Sequence, residues 1–333
     1  MHKLLLPSIV VGSSLIIVGC QTQTPTTRIS RLPARSTSDA PIRSWSPLDS
    51  WAGQYNVKAT GPKRAGTNLV YTVHSSSGAM EITIGSRNAK WNNRRLWLGY
   101  APTLADNRPH VHSIDLSQNL RFLLTPKPWR LGRGKTIVID PGHGGGNRGT
   151  RSILSGTKFE KEYSLDWARR LKPLLEKKGW KVHLTRDSDV DIPLTERVAF
   201  AEKHKADLFV SLHFNSSFPK LDPSGIETYA LTPLGLPSTT SRSAKEDRNT
   251  EYPGNAFDEF NLRLAAGVHS SLIAATGSTD RGVKRARFMT VLQEQKRPAI
   301  LIEGGFLSNP DEARLISSPA YRQKLALAVA KAF

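Results

Sequence analysis

The sequence predicts an α/β fold: a three-layer domain on a mostly parallel sheet, preceded by a small antiparallel β-domain. Three observations carry this. From residue 135 onward, short apolar runs alternate with longer runs of helical period, the pattern of strands and helices taking turns. Residues 48–128 instead hold short β-rich runs separated by Gly, Ser and Asn. Between the two regions "TPKPWRLGRG" (Thr125 to Gly134) is rich in Pro and Gly, and residues 129–134 read as a linker.

The elements follow in order. Lys3 precedes an apolar run, Leu4 to Val18, and then "IVGC", so residues 1–19 read as a secretory signal too short to span a bilayer comfortably. Residues 20–47 are rich in Thr, Ser, Pro and Arg without apolar periodicity, and read as a disordered tether. In the next region "NLVYTVHS", "AMEITIG", "RRLWLGY" and "HVHSIDL" read as strands, with Asn92-Asn93 at a turn between two of them. In the third, "TIVIDP" is a buried strand, and "EKEYSLDWARRLKPLLEKKG" is a helix ended by Gly179. "WKVHLTR" and "ADLFVSLHF" are strands flanking a helix that opens at Pro193. "GIETYAL" and "PAILIEGGF" are further strands, "AFDEFNLRLAAGVHSSLIAAT" is a long helix, and "PAYRQKLALAVAKAF" is a closing helix. The polar stretch from Thr232 to Gly254 reads as an inserted surface loop near the ligand end of the sheet, and so as a place for a lid.

Charge narrows the partners. The chain has 333 residues and a formal charge of +19; residues 25–135 hold 17 Lys and Arg against 5 Asp and Glu, so +12 of it lies ahead of the α/β region. Such a surface attracts polyanions: nucleic acid, anionic lipid or a carboxylate-rich wall polymer. An exported chain with no nucleic-acid motif argues against the first. Cys20 is the one cysteine, so no intrachain disulfide forms. "IVGC" resembles the lipobox of bacterial lipoproteins, which implies cleavage before Cys20 and a lipid anchor on its thiol. Gln21, rather than aspartate, follows Cys20, and that points to the outer membrane, facing the periplasm.

Three polar residues end apolar strands: His143 after "TIVIDPG", His213 in "DLFVSLH" and Glu303 in "PAILIE". Ligands of open α/β sheets bind at the carboxyl ends of strands, so these residues converge on one crevice, with Glu160 opening the first helix nearby. His, Glu and His with a water make a catalytic zinc site for one ion, and a neighbouring carboxylate, Glu303, is the candidate general base. Either histidine alone reads as well as a hydrogen-bonded core residue; both together, beside two glutamates, do not. The glycines around His143 invite a phosphate-loop reading, but there is no GK[ST] and no G-x-G-x-x-G. His110 and His112 alternate on one strand face, yet two ligands do not complete a metal site. His183, His204 and His269 read as structural or surface residues.

Residues 135–333 resemble the zinc-dependent N-acetylmuramoyl-L-alanine amidases of the Amidase_3 family. The match runs in order through "IVIDPGHGG", "EKEYSL", "LTRDSDVDIPLTERVAFAEKHKADLFVSLHFNS", "GIETYAL" and "RPAILIEGGFLSNPDEARLI". The resemblance implies zinc held by His143, Glu160 and His213, catalysis by Glu303, and hydrolysis of the amide between N-acetylmuramic acid and L-alanine in peptidoglycan. The family usually has an aspartate after "HGG" and then Gly-Ala; this chain has "GNRGT", with Asn147 and Thr150. Glu162 is the alternative to Glu160 if the register shifts. Asn215 is a candidate substrate contact, with a strand-end cap as the plainer alternative. Residues 48–128 loosely resemble the small β-domains, similar to the N-terminal domain of copper amine oxidases, that precede cell-wall hydrolases, which implies wall binding. An inactive wall-binding lipoprotein and a zinc peptidase are the competing functions. The absence of H-E-x-x-H removes the commonest peptidase pattern. Regulation by an activator protein stays open.

Overall fold

The computed structural model describes residues 44–128, 135–154, 158–240 and 246–333. The signal segment, Cys20, the linker at 129–134 and most of the tether lie outside the described residues. The strands are β1 (Trp45–Pro47), β2 (Lys58–Ala65), β3 (Asn68–Ser75), β4 (Gly78–Thr83), β5 (Asn88–Trp91), β6 (Arg94–Trp97), β7 (Thr103–Ala105), β8 (Arg108–His112), β9 (Thr136–Pro141), β10 (Lys181–Leu184), β11 (Leu208–Asn215), β12 (Ile226–Leu231), β13 (Asp280–Ala286) and β14 (Ala299–Phe306). The helices are α1 (Leu48–Gln54), α2 (Ser113–Asp115), α3 (Arg121–Leu124), α4 (Glu160–Glu176), α5 (Leu194–Lys203), α6 (Asp258–Thr276), α7 (Thr290–Gln293), α8 (Pro310–Ser317) and α9 (Pro319–Lys331). None of the described helices is long and apolar enough to cross a membrane.

A mixed sheet runs β10-β9-β11-β14-β12-β13-β6-β5-β4-β3-β2. Its α/β half is parallel except that β12 runs against β14. Successive side chains on a strand face opposite sides, and the core divides accordingly. Ile137, Ile139, Leu208, Val210, Leu212, Ile300 and Ile302 face α4, α6 and α9. Val138, Phe209, Leu301 and Ala299 face the other way, toward the α5 and α7 layer. The long apolar runs of β9, β11 and β14 arise because these strands are covered on both faces.

The antiparallel region is present as expected, in β2 to β6, and it joins the main sheet where Leu96 pairs with Val283 of β13. Asn92 and Asn93 both take positive φ, 47° and 63°, which is the turn that matches strand twist in a two-residue hairpin. Two readings change, and one strand is added. Trp45–Pro47, placed in the tether, is a strand paired with β8 in a small second sheet. "HVHSIDL" is strand only as far as His112. His112 Nδ1 accepts from the Ile114 amide and so starts α2, which continues through a π turn into α3. β13, "DRGVKRA", has no strand-like alternation, yet it is central in the sheet.

The reversal of β12 decides where the Thr232–Gly254 insertion begins. Glu227 near the start of β12 pairs with Glu303, so the far end of β12 lies opposite the start of β14. The insertion therefore leaves from the end of the sheet away from His213 and Glu303, not from the ligand end. Its start is tied there, with Thr239 N donating to Arg285 O and Arg287 Nη2 to Pro233 O, and Thr240 then reaches the Tyr229 hydroxyl that serves Glu227.

Candidate metal centre

One loop, two strands and one helix start build the site. β9 ends at Pro141, and the chain turns back sharply at His143, whose φ of 62° is uncommon for a side chain of this size. A loop held in this way points to function rather than to chain economy. The turn is fixed from below. Buried Arg197 of α5 donates Nη2 to the His143 carbonyl (2.8 Å), Nη1 to the Pro141 carbonyl (3.0 Å), and Nη1 to Asp140 Oδ1 (2.7 Å). Asp140 also accepts from Thr185 Oγ1 and Ser211 Oγ. Burial pushes the Asp140 carboxyl up, but the Arg197 charge and these bonds outweigh it and hold the carboxyl below its ordinary value.

Glu160 is the first residue of α4 and is buried. One carboxylate oxygen, Oε2, accepts from the Thr150 amide (3.0 Å) and lies 3.0 Å from His143 Nε2. The other, Oε1, accepts from the Phe214 amide (3.1 Å) and lies 2.8 Å from His213 Nδ1. Burial disfavours its charge, yet bonds from both histidines and their charge more than compensate and hold it well below the carboxylate range. The positive end of α4 adds to this. At His143, burial opposes the imidazolium, and the Glu160 carboxylate overrides it, raising the pKa.

Ligand atoms of His143, Glu160 and His213 lie within 4.8 Å of one another, the one such group among the described residues. One carboxylate between two imidazoles is a donor set that suits zinc. His143 Nδ1 lies 2.8 Å from Asn147 Oδ1, so a proton placed there leaves Nε2 as the ligand nitrogen. Of the two departures in "GNRGT", Asn147 orients a histidine through its side chain, whereas at Thr150 it is the backbone amide that holds Glu160, whatever side chain stands there. Close packing explains two glycines. A Cβ on Gly142 would enter the His213 ring. One on Gly149, at φ 68°, would lie 2.6 Å from His143 Cδ2 and 2.7 Å from Glu160 Oε2. The loop amides of Gly144 and Gly145 are taken by Asn147 O and Asp189 Oδ1, which leaves them no phosphate to bind.

Glu303 is the neighbour of His213 across parallel β11 and β14, on the same face of the sheet. On its other side stands Glu227, a group the sequence reading missed. Lys284 Nζ and Arg281 Nε donate to Glu227 Oε1, while Tyr229 Oη (2.6 Å) and Asn215 Nδ2 (3.2 Å) donate to Oε2. Burial raises the Glu227 pKa, but the Lys284 charge and these bonds bring it below the ordinary value. Asn215 is therefore occupied on both sides, its Oδ1 accepting from Ser216 N. Glu162 turns away and accepts from the Phe159 amide, leaving Glu160 in the site. His112 stacks on Tyr100 at 4.0 Å, His110 Nδ1 lies 3.1 Å from Arg108 O, His183 stacks on His204, and buried His269 bridges Thr228 and Asp280.

Two histidines and a glutamate at the carboxyl end of a parallel sheet, with a further glutamate beside them, form a group that could hold a metal ion in a hydrolase site. The family model for N-acetylmuramoyl-L-alanine amidase, Amidase_3, matches residues 137–333, and the chain belongs to that family. The chain is similar to the N-acetylmuramoyl-L-alanine amidase AmiC of Escherichia coli O6:H1, 34% identical over 60% of this chain and 53% of that protein. It is also similar to AmiA of Escherichia coli K12, 32% identical over 62% of this chain and 77% of that protein. The chain thus spans about half the length of the first relative and about three quarters of the second. Among solved structures it resembles the N-acetylmuramoyl-L-alanine amidase of Clostridium difficile 630, with 31% identity and a TM-score of 0.50 over 60% of this chain and 95% of that one. AmiC2 of Nostoc punctiforme gives 30% identity and a TM-score of 0.50 over 60% and 96%.

Proposed function

We propose that the chain is a zinc-dependent amidase that hydrolyses the bond between the lactyl group of N-acetylmuramic acid and L-alanine in peptidoglycan. The observation that carries the reading is the convergence of His143, Glu160 and His213 beside Glu303. His143, Glu160 and His213 would hold one zinc ion, which supplies Lewis acidity toward the scissile carbonyl and makes a nearby water more acidic. Glu303 takes a proton from the attacking water and returns it to the leaving nitrogen of alanine. Lys284 and Arg281 neutralise Glu227, so that Glu303 does not stand beside an uncompensated like charge.

In the same proposal, Cys20 is lipidated, the enzyme works from the outer membrane facing the periplasm, and residues 48–128 hold it to the wall. The test is mass spectrometry of products from purified peptidoglycan digested by the zinc-loaded chain, with and without chelator. Stem peptides with a free N-terminal alanine, lost on chelation, are the expected result. Glu303→Gln should lower turnover by at least about 1000-fold while zinc stays bound. Full activity in that variant sinks the assigned role, and internally cut peptides sink the amidase reading.

A further inference from the structure

The end of the parallel sheet opposite the metal cluster carries a field of lysines. β10, β9 and β11 lie side by side and run the same way, so their starts share that end. Lys135 and Lys181 stand at the starts of β9 and β10, and Lys181 N donates to Lys135 O (3.0 Å). Lys177 and Lys178 occupy the turn from α4 into β10, and Lys203 and Lys205 the end of α5 and its turn into β11. All six are exposed. The carboxylates near them are engaged elsewhere: Glu176 by Lys172, Glu202 by buried Arg297, and Asp207 by the Thr136 amide (2.8 Å). Two of the lysines sit where turn chemistry alone asks for glycine or asparagine. Lys135 has φ 42° and Lys205 φ 49°, whereas the neighbouring turn uses Gly179 at φ 83°. A long charged side chain held at such a position points to a use for its charge. The field is felt at His183, stacked on His204 at 3.9 Å: burial lowers its pKa, and the charges of His204, Lys181 and Lys172 lower it further.

Substrate at the metal end is not that use. From Leu208 to His213 β11 rises about 17 Å, roughly two screening lengths at physiological salt. The chemistry of the lysine end favours a plane of negative charge. Lysine is a compact point charge on a flexible stem, not a fork that reads one carboxylate. The rings of this end are turned to protein: Trp180 packs on Phe333, and His204 on His183 and Phe200. A sugar chain wants a free ring to stack on, whereas anionic headgroups need only clustered cations.

We propose that this lysine end docks on the anionic headgroup surface of a membrane, which turns the metal end away from the lipid and toward the wall. This rests on the proposed anchor at Cys20, which brings a membrane within reach. The test uses the zinc-loaded chain from residue 20 with Cys20→Ser, which cannot be acylated. It is sedimented with vesicles of phosphatidylcholine alone, or with about one third phosphatidylglycerol. Binding should occur on the anionic vesicles only, and should weaken about 10-fold or more between about 0.05 M and about 0.5 M salt. Lys135→Gln, Lys181→Gln and Lys205→Gln together should lower the partition coefficient by at least about 10-fold. Lys58→Gln, Lys63→Gln and Lys90→Gln, an equal loss of charge in the antiparallel region, should lower it less than about 2-fold. Circular dichroism melting checks that both triple variants fold. Equal losses in the two variants overturn the proposal, as do absent binding or equal binding to neutral vesicles. A loss of binding to purified peptidoglycan in the first variant, with vesicle binding intact, gives the lysines to the wall polymer and removes the lipid reading. Cys20 found unmodified, by the mass of the chain isolated from envelopes, removes the anchor alone, because the vesicle result does not use it.

Discussion

Arg197→Met tests how the His143 loop is held. The side chain is 2% exposed and its partner Asp140 is 1% exposed. In the variant a carboxylate stays buried with hydrogen bonds from Thr185 and Ser211 and the more distant charge of Arg186 to stabilise it. Its escape is to take up a proton. At pH 7, from an ordinary value of 3.8, that costs about 4 kcal/mol at roughly 1.4 kcal/mol per pH unit. This sets a ceiling on the electrostatic penalty, and it falls within the range of roughly 3–5 kcal/mol for breaking buried pairs. The Pro141 carbonyl keeps its bond from Arg186 Nε, whereas the Ile192 and His143 carbonyls lose the donors Arg197 gave them. The sign with pH follows from Asp140. In the wild type its folded pKa is depressed, so its contribution is present above about pH 4 and is lost as pH falls below that. In the variant the penalty grows with pH instead. We expect a loss of about 4 kcal/mol at pH 7 and about 1–2 kcal/mol at pH 4, where the proton costs little and the lost hydrogen bonds remain. Urea unfolding followed by tryptophan fluorescence reads both. Adding Asp140→Asn should restore at least about 2 kcal/mol at pH 7. A loss below about 1 kcal/mol at pH 7, or one equal at both pH values, refutes the reasoning.

Two other perturbations separate packing from charge. Gly149→Ala puts a methyl group against His143 and Glu160 at a left-handed backbone position; zinc affinity measured against a competing chelator should fall about 10- to 100-fold, and unchanged affinity would contradict the packing account. Burial pushes Asp258 up to about 7, only partly offset by Arg285 and an Asn255 hydrogen bond. Its folded pKa lies above the unfolded 3.8, so its stabilising effect is complete below about pH 4 and lost by about pH 7. Asp258→Asn should therefore unfold at higher urea than wild type at pH 8, by roughly 2 kcal/mol, with no gain at pH 4; a gain equal at both pH values would count against it.

How much of this was legible depends on where each residue finds its partner. β9, β11 and β14 announce themselves because burial on both faces demands continuous apolar runs, and a histidine or glutamate ending such a run is conspicuous. Glu160 needed the family register, because Glu162 lies two residues on and only the fold shows which one turns inward. Arg197 sits in an ordinary amphipathic helix pattern, where a cation reads as solvent-facing; its partners come from 54 to 57 residues away and from a short loop. β13 stayed hidden for a related reason. Its Lys284 and Arg285 are buried only because Glu227 and Asn119 meet them, and no local pattern records that. The direction of β12 is likewise a property of the sheet: the insertion that follows it starts at the far end, and its Thr240 still reaches Tyr229, the hydroxyl donor to Glu227.

The pairing of Leu96 with Val283 bears on how the enzyme can be produced. Val283 is 2% exposed, Trp97 Nε1 donates to Arg281 O, and Arg285 Nη2 reaches Gln118 O and Asn119 Oδ1. Cutting the gene at the linker to express residues 135–333 alone would strip these partners from β13 and uncover its edge at Val283, while Thr239 would stay bonded to Arg285. A bare strand edge is a template for self-association. Residues 44–128 therefore act as a cover for that edge, and comparing the self-association of the fragment with that of the longer chain would measure what the cover is worth.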